Sequence, residues 1–188
     1  MIPAGYSVAV LALLSTAALA AWSHAHPEQH NRFMHDGPVM IMYGLGAWLF
    51  LPIGWFWSVA YLMTVVMCNL WFVVRVCPHC VYHGRTDGPS LYCALATRLA
   101  DTGAPQLFAS RFRHTAGVLS INWVLPIIGG VVALRQMNES PYGLTLLAVF
   151  GLIAFYLVPT SAKPSCQRCL NKETCPRGKH IKDPVYPC

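Results

Sequence analysis

Charge is what this sequence lacks. Charged residues make up 11% of its 188 residues, against roughly 25% in a soluble domain. Four long windows hold none at all: Met1–Trp22, Gly37–Val74, Thr115–Leu134 and Ser140–Ala162. A surface so poor in charge is suited to lipid rather than water, which excludes an ordinary soluble enzyme. Other absences narrow the chemistry. There is no glycine-rich nucleotide loop, no serine triad pattern and no H-E-x-x-H. No basic stripe carries interleaved aromatics for nucleic acid. None of the eight histidines, His24, His26, His30, His35, His79, His83, His114 and His180, falls inside an apolar window. A haem held between two histidines within the bundle is therefore not expected.

What is present is apolar length. Ile2–Trp22 ends near Ala18-Leu19-Ala20, which resembles a signal-peptidase site, but no Lys or Arg precedes it. It is read as a first transmembrane helix. Gly37–Val74 would run about 57 Å as one helix, too long for a hydrocarbon core of roughly 30 Å. Pro52-Ile53-Gly54 divides it into a hairpin, with spans over Pro38–Leu51 and Trp55–Val76. Thr115–Leu134 and Tyr142–Pro159 form a second hairpin around the polar connector Arg135–Pro141. The predicted fold is an all-α integral membrane protein of two transmembrane hairpins and an N-terminal span. It has four spans, or five if the N-terminal segment is counted, with a cysteine-rich cap at the membrane surface. Its divisions are 1–76, 77–114, 115–160 and 161–188. Trp48, Trp55, Trp57 and Tyr61 suit an interfacial belt.

Between Arg75 and His114, Leu91, Leu95 and Leu99 recur at helical spacing. Leu107, Phe108 and Phe112 alternate with Arg111 and Arg113. Both pieces are expected as short amphipathic helices lying on anionic headgroups. The tail from Lys163, with Pro164, Pro176, Pro184 and Pro187, is too proline-rich for a long helix. The segment carrying His24, His26, His30 and His35 has no diagnostic ligand spacing and is read as a solvated connector.

Cysteines mark the ends of two spans. Cys77-Pro78-His79-Cys80, with Cys93 beyond it, follows the third. Cys166, Cys169 and Cys175-Pro176 follow the last. An even number of crossings separates the two groups, so they are expected on one face. Arg75–His114 is net +3 and Lys163–Cys188 net +4; these segments hold eleven Lys and Arg, while the connector between them holds one. The positive-inside rule then places the cysteine face in the cytoplasm.

In a reducing compartment paired cysteines are metal ligands more often than disulfides. Two C-x2-C turns supply the four thiolates of a tetrahedral zinc site, and Cys93 and Cys175 bring the candidate metal ligands to six. The six-cysteine spacing is similar to the binuclear clusters of some fungal regulators. Cys175-Pro176 resembles the end of ferredoxin-type iron–sulfur runs, and Cys77-Pro78-His79-Cys80 resembles the motif of thioredoxin-fold oxidants. Membrane quinone-linked thiol oxidases also keep cysteine pairs at helix ends. Zinc is the expected cofactor, with an iron–sulfur cluster as the alternative. Cys68 is read as a packing residue and Cys188 as a free terminal thiol. Asn69 and Asn122, inside the apolar windows, are read as interhelical hydrogen-bonding residues. The expected function is an accessory subunit of a larger membrane complex, without catalysis of its own, partnered by other subunits and by anionic lipid. The alternatives are an iron–sulfur electron-transfer subunit linked to quinone, and a thiol–quinone oxidoreductase using Cys77 and Cys80.

Overall fold

The computed structural model describes residues 4–26, 32–85, 90–136, 141–167 and 169–176. It is all-helical, 83% helix, with no strand among the described residues. The helices are α1 (Ala4–Ala25), α2 (Arg32–Phe50), α3 (Trp55–Arg75), α4 (Leu91–Leu99), α5 (Phe108–Gln136), α6 (Pro141–Leu152) and α7 (Val158–Gln167). Four stretches are helical, long and apolar enough to cross a membrane: Ser7–Ala25, Trp55–His79, Pro105–Arg135 and Gly143–Pro164. Their large apolar side chains point outward. Leu11, Met67 and Phe155 are each more than 60% exposed, which water would penalise and acyl chains reward. The chain is therefore an integral membrane protein.

The α2 helix is not among the four. It packs against α1, α3, α5, α6 and α7, and its Met42, Leu45, Ala47 and Leu49 are buried beside Leu146, Phe150 and Ile153. A helix surrounded by protein need not be as apolar as one that faces lipid, and α2 opens on Arg32, His35 and Asp36. It also starts six residues before the expected Pro38 and runs through that proline.

The reversal between α2 and α3 falls at the expected place. The amides of Ile53 and Gly54 both donate to the Phe50 carbonyl. Gly54 has φ 147°, a conformation that side chains disfavour. The Ser58 hydroxyl then donates to Ala47 O at 2.8 Å, and Tyr61 OH donates to Asn122 O at 3.0 Å, tying α3 to α2 and α5. Gly46 makes room for this phenol: a Cβ there would lie 2.6 Å from the Tyr61 oxygen.

Two further expectations fail. The basic stretch through Leu107, Phe108 and Phe112 is not a separate interfacial helix. Pro105–Leu107 is one 3-10 turn, and Phe108 begins α5, which continues unbroken past Thr115. Nothing between Arg113 and Thr115 breaks a helix, and Phe112 packs edge-on against Phe72 of α3 at 6.0 Å. The last span does not end near Pro159. Helix continues through Pro164 to Gln167, after a π-helical turn at Ile153–Leu157. Pro159 explains that turn. It has no N–H for the carbonyl four residues back, and the chain answers with a wider loop in which Val158 N–H reaches Ile153 O. Asn138, Glu139, Ser140, His30, His180, Pro184, Pro187 and Cys188 lie outside the described residues.

One end of the bundle gathers several termini. The Ser23 hydroxyl of α1 donates to Ser161 O at 3.3 Å, and His24 Nε2 lies 3.2 Å from Thr160 O. Asp36 near the start of α2 accepts from the Ser90 hydroxyl and, at 2.8 Å, from the Leu91 amide. That end carries both cysteine segments. The Leu51–Gly54 reversal and the C-terminus of α5 occupy the other.

Candidate functional site

Where α3 stops, the chain tightens into a 3-10 turn at Cys77–His79, with Pro78 at its start. The Cys80 amide donates to Cys77 O at 3.0 Å, so the two thiols of the first C-x2-C leave one short turn. Cys77 is buried and Cys80 half-buried. Cys93 stands in the first turn of α4 and is buried. Its neighbour Tyr92, with Phe72, packs on the small cluster of Val73, Cys77 and Ala96, and the Tyr92 hydroxyl donates to Asn69 Oδ1 at 2.8 Å.

The second C-x2-C begins inside α7, at Cys166. The Cys169 amide donates to Cys166 O at 3.3 Å, and the Cys175 amide to Asn171 O at 2.8 Å. This turn lies against the first. Asn171 Nδ2 donates to Cys80 Sγ at 3.3 Å, and the Leu170 amide donates to the Tyr82 hydroxyl at 3.2 Å. The second cysteine of each pair also accepts a backbone N–H from two residues on, Tyr82 for Cys80 and Asn171 for Cys169. In both pairs, then, the amide of the second cysteine donates to the carbonyl of the first, and its sulfur faces the N–H two residues on.

Comparison with protein-family models, curated proteins and solved structures finds no match.

Burial raises the Cys80 thiol to about 11, and Cys93 and Cys169 push it the same way, against the lowering effect of the Tyr82 and Asn171 N–H groups. Cys169 is raised too, first by burial, then by Cys166, Cys175 and Cys93. Cys93 therefore acts on both turns and sits electrically between them. Thiols raised in this way are protonated near neutrality, and thiolates formed there would repel one another. A cation among them would reverse that balance. Among the described residues, all seven cysteines are free thiols. No three His, Cys, Asp or Glu side chains among them stand in an arrangement ready to hold an ion. The donor set and its N–H···S bonds fit a metal thiolate site chemically; the sulfurs share a neighbourhood without forming a closed ligand shell.

Cys68 is buried in α3 and takes no part. His79 is held on the opposite side of the first turn. Its Nδ1 lies 2.8 Å from Ala104 O, and the Gly103 amide donates to Pro78 O at 2.9 Å. A Cβ at Gly103 would come within 2.4 Å of the ring, so only glycine fits there. His24 meets Thr160, His26 stacks on Trp22 at 4.2 Å, and His35 Nδ1 pairs with Asp36 at 2.9 Å. Sequence reasoning passed over Asn171, Tyr82 and Gly103. Asn171 and Tyr82 each stand two residues after the second cysteine of a pair, a shared spacing that was available to be read.

Proposed function

We propose that this chain is a small accessory subunit of a larger membrane complex, in which a cysteine-ligated metal joins the segments that follow α3 and α7. Cys77, Cys80, Cys166 and Cys169 would hold the ion, with Cys93 and Cys175 beside them. The observation that carries this reading is the seating of one C-x2-C turn on the other through Asn171 and Cys80. Zinc is the first choice, because four thiolates from two such turns make its usual structural shell. An iron–sulfur cluster, passing electrons toward quinone, uses the same sulfurs. A thiol–quinone oxidoreductase is disfavoured by the raised Cys80, since the attacking species is a thiolate.

The metal's role is to fix a docking surface. Leu91, Leu95 and Leu99 on α4 are all exposed, beside the turns the metal would clamp. Partner subunits are their proposed cover, and anionic headgroups suit the surrounding arginines. One of these, Arg75, folds back over the Trp71 ring at 4.6 Å, a posture that lets a cation reach the interface from a helix end. The count of basic residues puts this face in the cytoplasm.

Elemental analysis of the purified full chain tests the reading. Zinc bound to wild type and lost from Cys80→Ser and Cys169→Ser supports it, together with a lowered melting temperature in both variants. Iron with acid-labile sulfide and brown colour selects the electron-transfer form. Metal-free protein whose variants melt like wild type refutes both.

A further inference from the structure

At the end away from the cysteines, a cleft of about 380 Å³ lies between α3 and α5. Ile53, Trp57 and Val132 stand at its outer end, and Thr64 and Leu125 at its inner end; Phe50 forms its floor. α5 lies directly on that floor, since a Cβ at Gly129 would meet the Phe50 ring within 2.4 Å. The volume falls in the range of ligand pockets. Along its length the hydroxyls are already engaged: Tyr61 OH donates to Asn122 O, and the Thr64 hydroxyl donates to Ala60 O at 2.9 Å. Apart from the Trp57 indole N–H at the outer end, the remaining side chains of the lining are apolar, so the ligand of its interior is hydrocarbon.

The cleft's length identifies which hydrocarbon. From Trp57 to Thr64, α3 rises about 10 Å, which fits within one leaflet's share, about 15 Å, of the hydrocarbon core. About two turns beyond Thr64, Phe72 packs on Phe112 and closes the seam there. A partner's transmembrane helix would need a seam running the whole thickness. Trp57 and Ile128, each 54% exposed, leave the rim open sideways to the bilayer. We infer that the α3–α5 cleft is a binding site for one acyl chain of a phospholipid in the leaflet opposite the cysteine end.

The full chain purified in mild detergent, analysed by native mass spectrometry and by phosphorus content, tests this. One phospholipid per chain is expected on wild type. Ala60→Leu, which fills the cleft, should reduce its retention at least tenfold. Val66→Leu, on the far side of α3, should not. Equal retention by wild type and Ala60→Leu, no lipid on wild type, or an isoprenoid in its place would each overturn the proposal. Should Ala60→Leu fail to fold, wild type in vesicles containing phospholipid brominated on its acyl chains decides. Quenching of the fluorescence contributed by Trp57, isolated by comparison with Trp57→Phe, should saturate at a low mole fraction of brominated lipid. A quench that rises linearly with mole fraction refutes the site.

Discussion

A thiol reports on its surroundings through the pH at which it reacts. Cys80 is raised from 9.0 to about 11, chiefly by burial. In metal-stripped protein its alkylation should therefore be slow at neutral pH and should climb up to about pH 11; an unfolded control should level off near 9. The same shift has a consequence for stability. A thiol whose folded value is raised favours the folded state below its unfolded value, and that contribution disappears as pH rises through the folded one. Metal-stripped protein should lose stability between about pH 9 and 11, measured by thermal melting at each pH. A flat profile there would show that Cys80 is not buried as described. Gly103 gives a second residue-level test. Gly103→Ala forces a methyl group into the His79 ring and should destabilise the protein by about 1–3 kcal/mol, read from the melting transition. A wild-type melt would mean that the loop yields without loss.

At the scale of elements, α4 is the one most dependent on its neighbours. Nine residues are too few to hold a helix in isolation. Its start is fixed from outside by Asp36, which is 4% exposed and accepts from both the Ser90 hydroxyl and the Leu91 amide. A carboxylate at a helix N-terminus also meets the positive end of the macrodipole. Asp36→Ala leaves these donors without an acceptor, at a cost of about 1–3 kcal/mol. Because Cys93 sits in the same first turn, the expected signature is faster maleimide labelling of Cys93, with the labelling of buried Cys68 unchanged. Unaltered Cys93 would show that α4 is seated by its apolar contacts alone. The helices were legible where periodicity or a breaker marks them. Leu91, Leu95 and Leu99 announced α4, and Pro52-Ile53-Gly54 announced the reversal. The joining of Phe108–Arg113 to the following apolar run was not legible, because an amphipathic turn on a membrane surface and the mouth of a spanning helix have the same composition. Nor was the π-helical turn, since Pro159 predicts a disruption without saying that the helix survives it. Within the site, the cysteines were visible from spacing. Asn171 and Tyr82 gained meaning only once the two turns were placed against each other.

For the whole molecule, the arrangement turns on which ends share a side. The contacts of Asp36 with α4 and of Asn171 with Cys80 assign the start of α2, the end of α3 and the end of α7 to one end. Trp55, 72% exposed, stands at the other. Of the described Lys and Arg, Arg75, Arg85 and Lys172 lie at the cysteine end, and Arg135 lies in the last turn of α5 at the other. The uneven Lys and Arg count of the sequence predicts a cytoplasmic cysteine end. Asp101→Cys, in the exposed loop beside His79, and Trp55→Cys separate the possibilities. A membrane-impermeant maleimide should label Asp101→Cys in inside-out vesicles and Trp55→Cys in right-side-out ones. Both labelled from one side would mean that the bundle does not span. Both labelled, but with the sides exchanged, would keep the fold and place the thiols in an oxidising compartment, where disulfides would replace a metal as the bond between the turns. The experiment therefore decides orientation and cysteine chemistry together, because the same paired thiols favour different bonds on the two sides of the membrane.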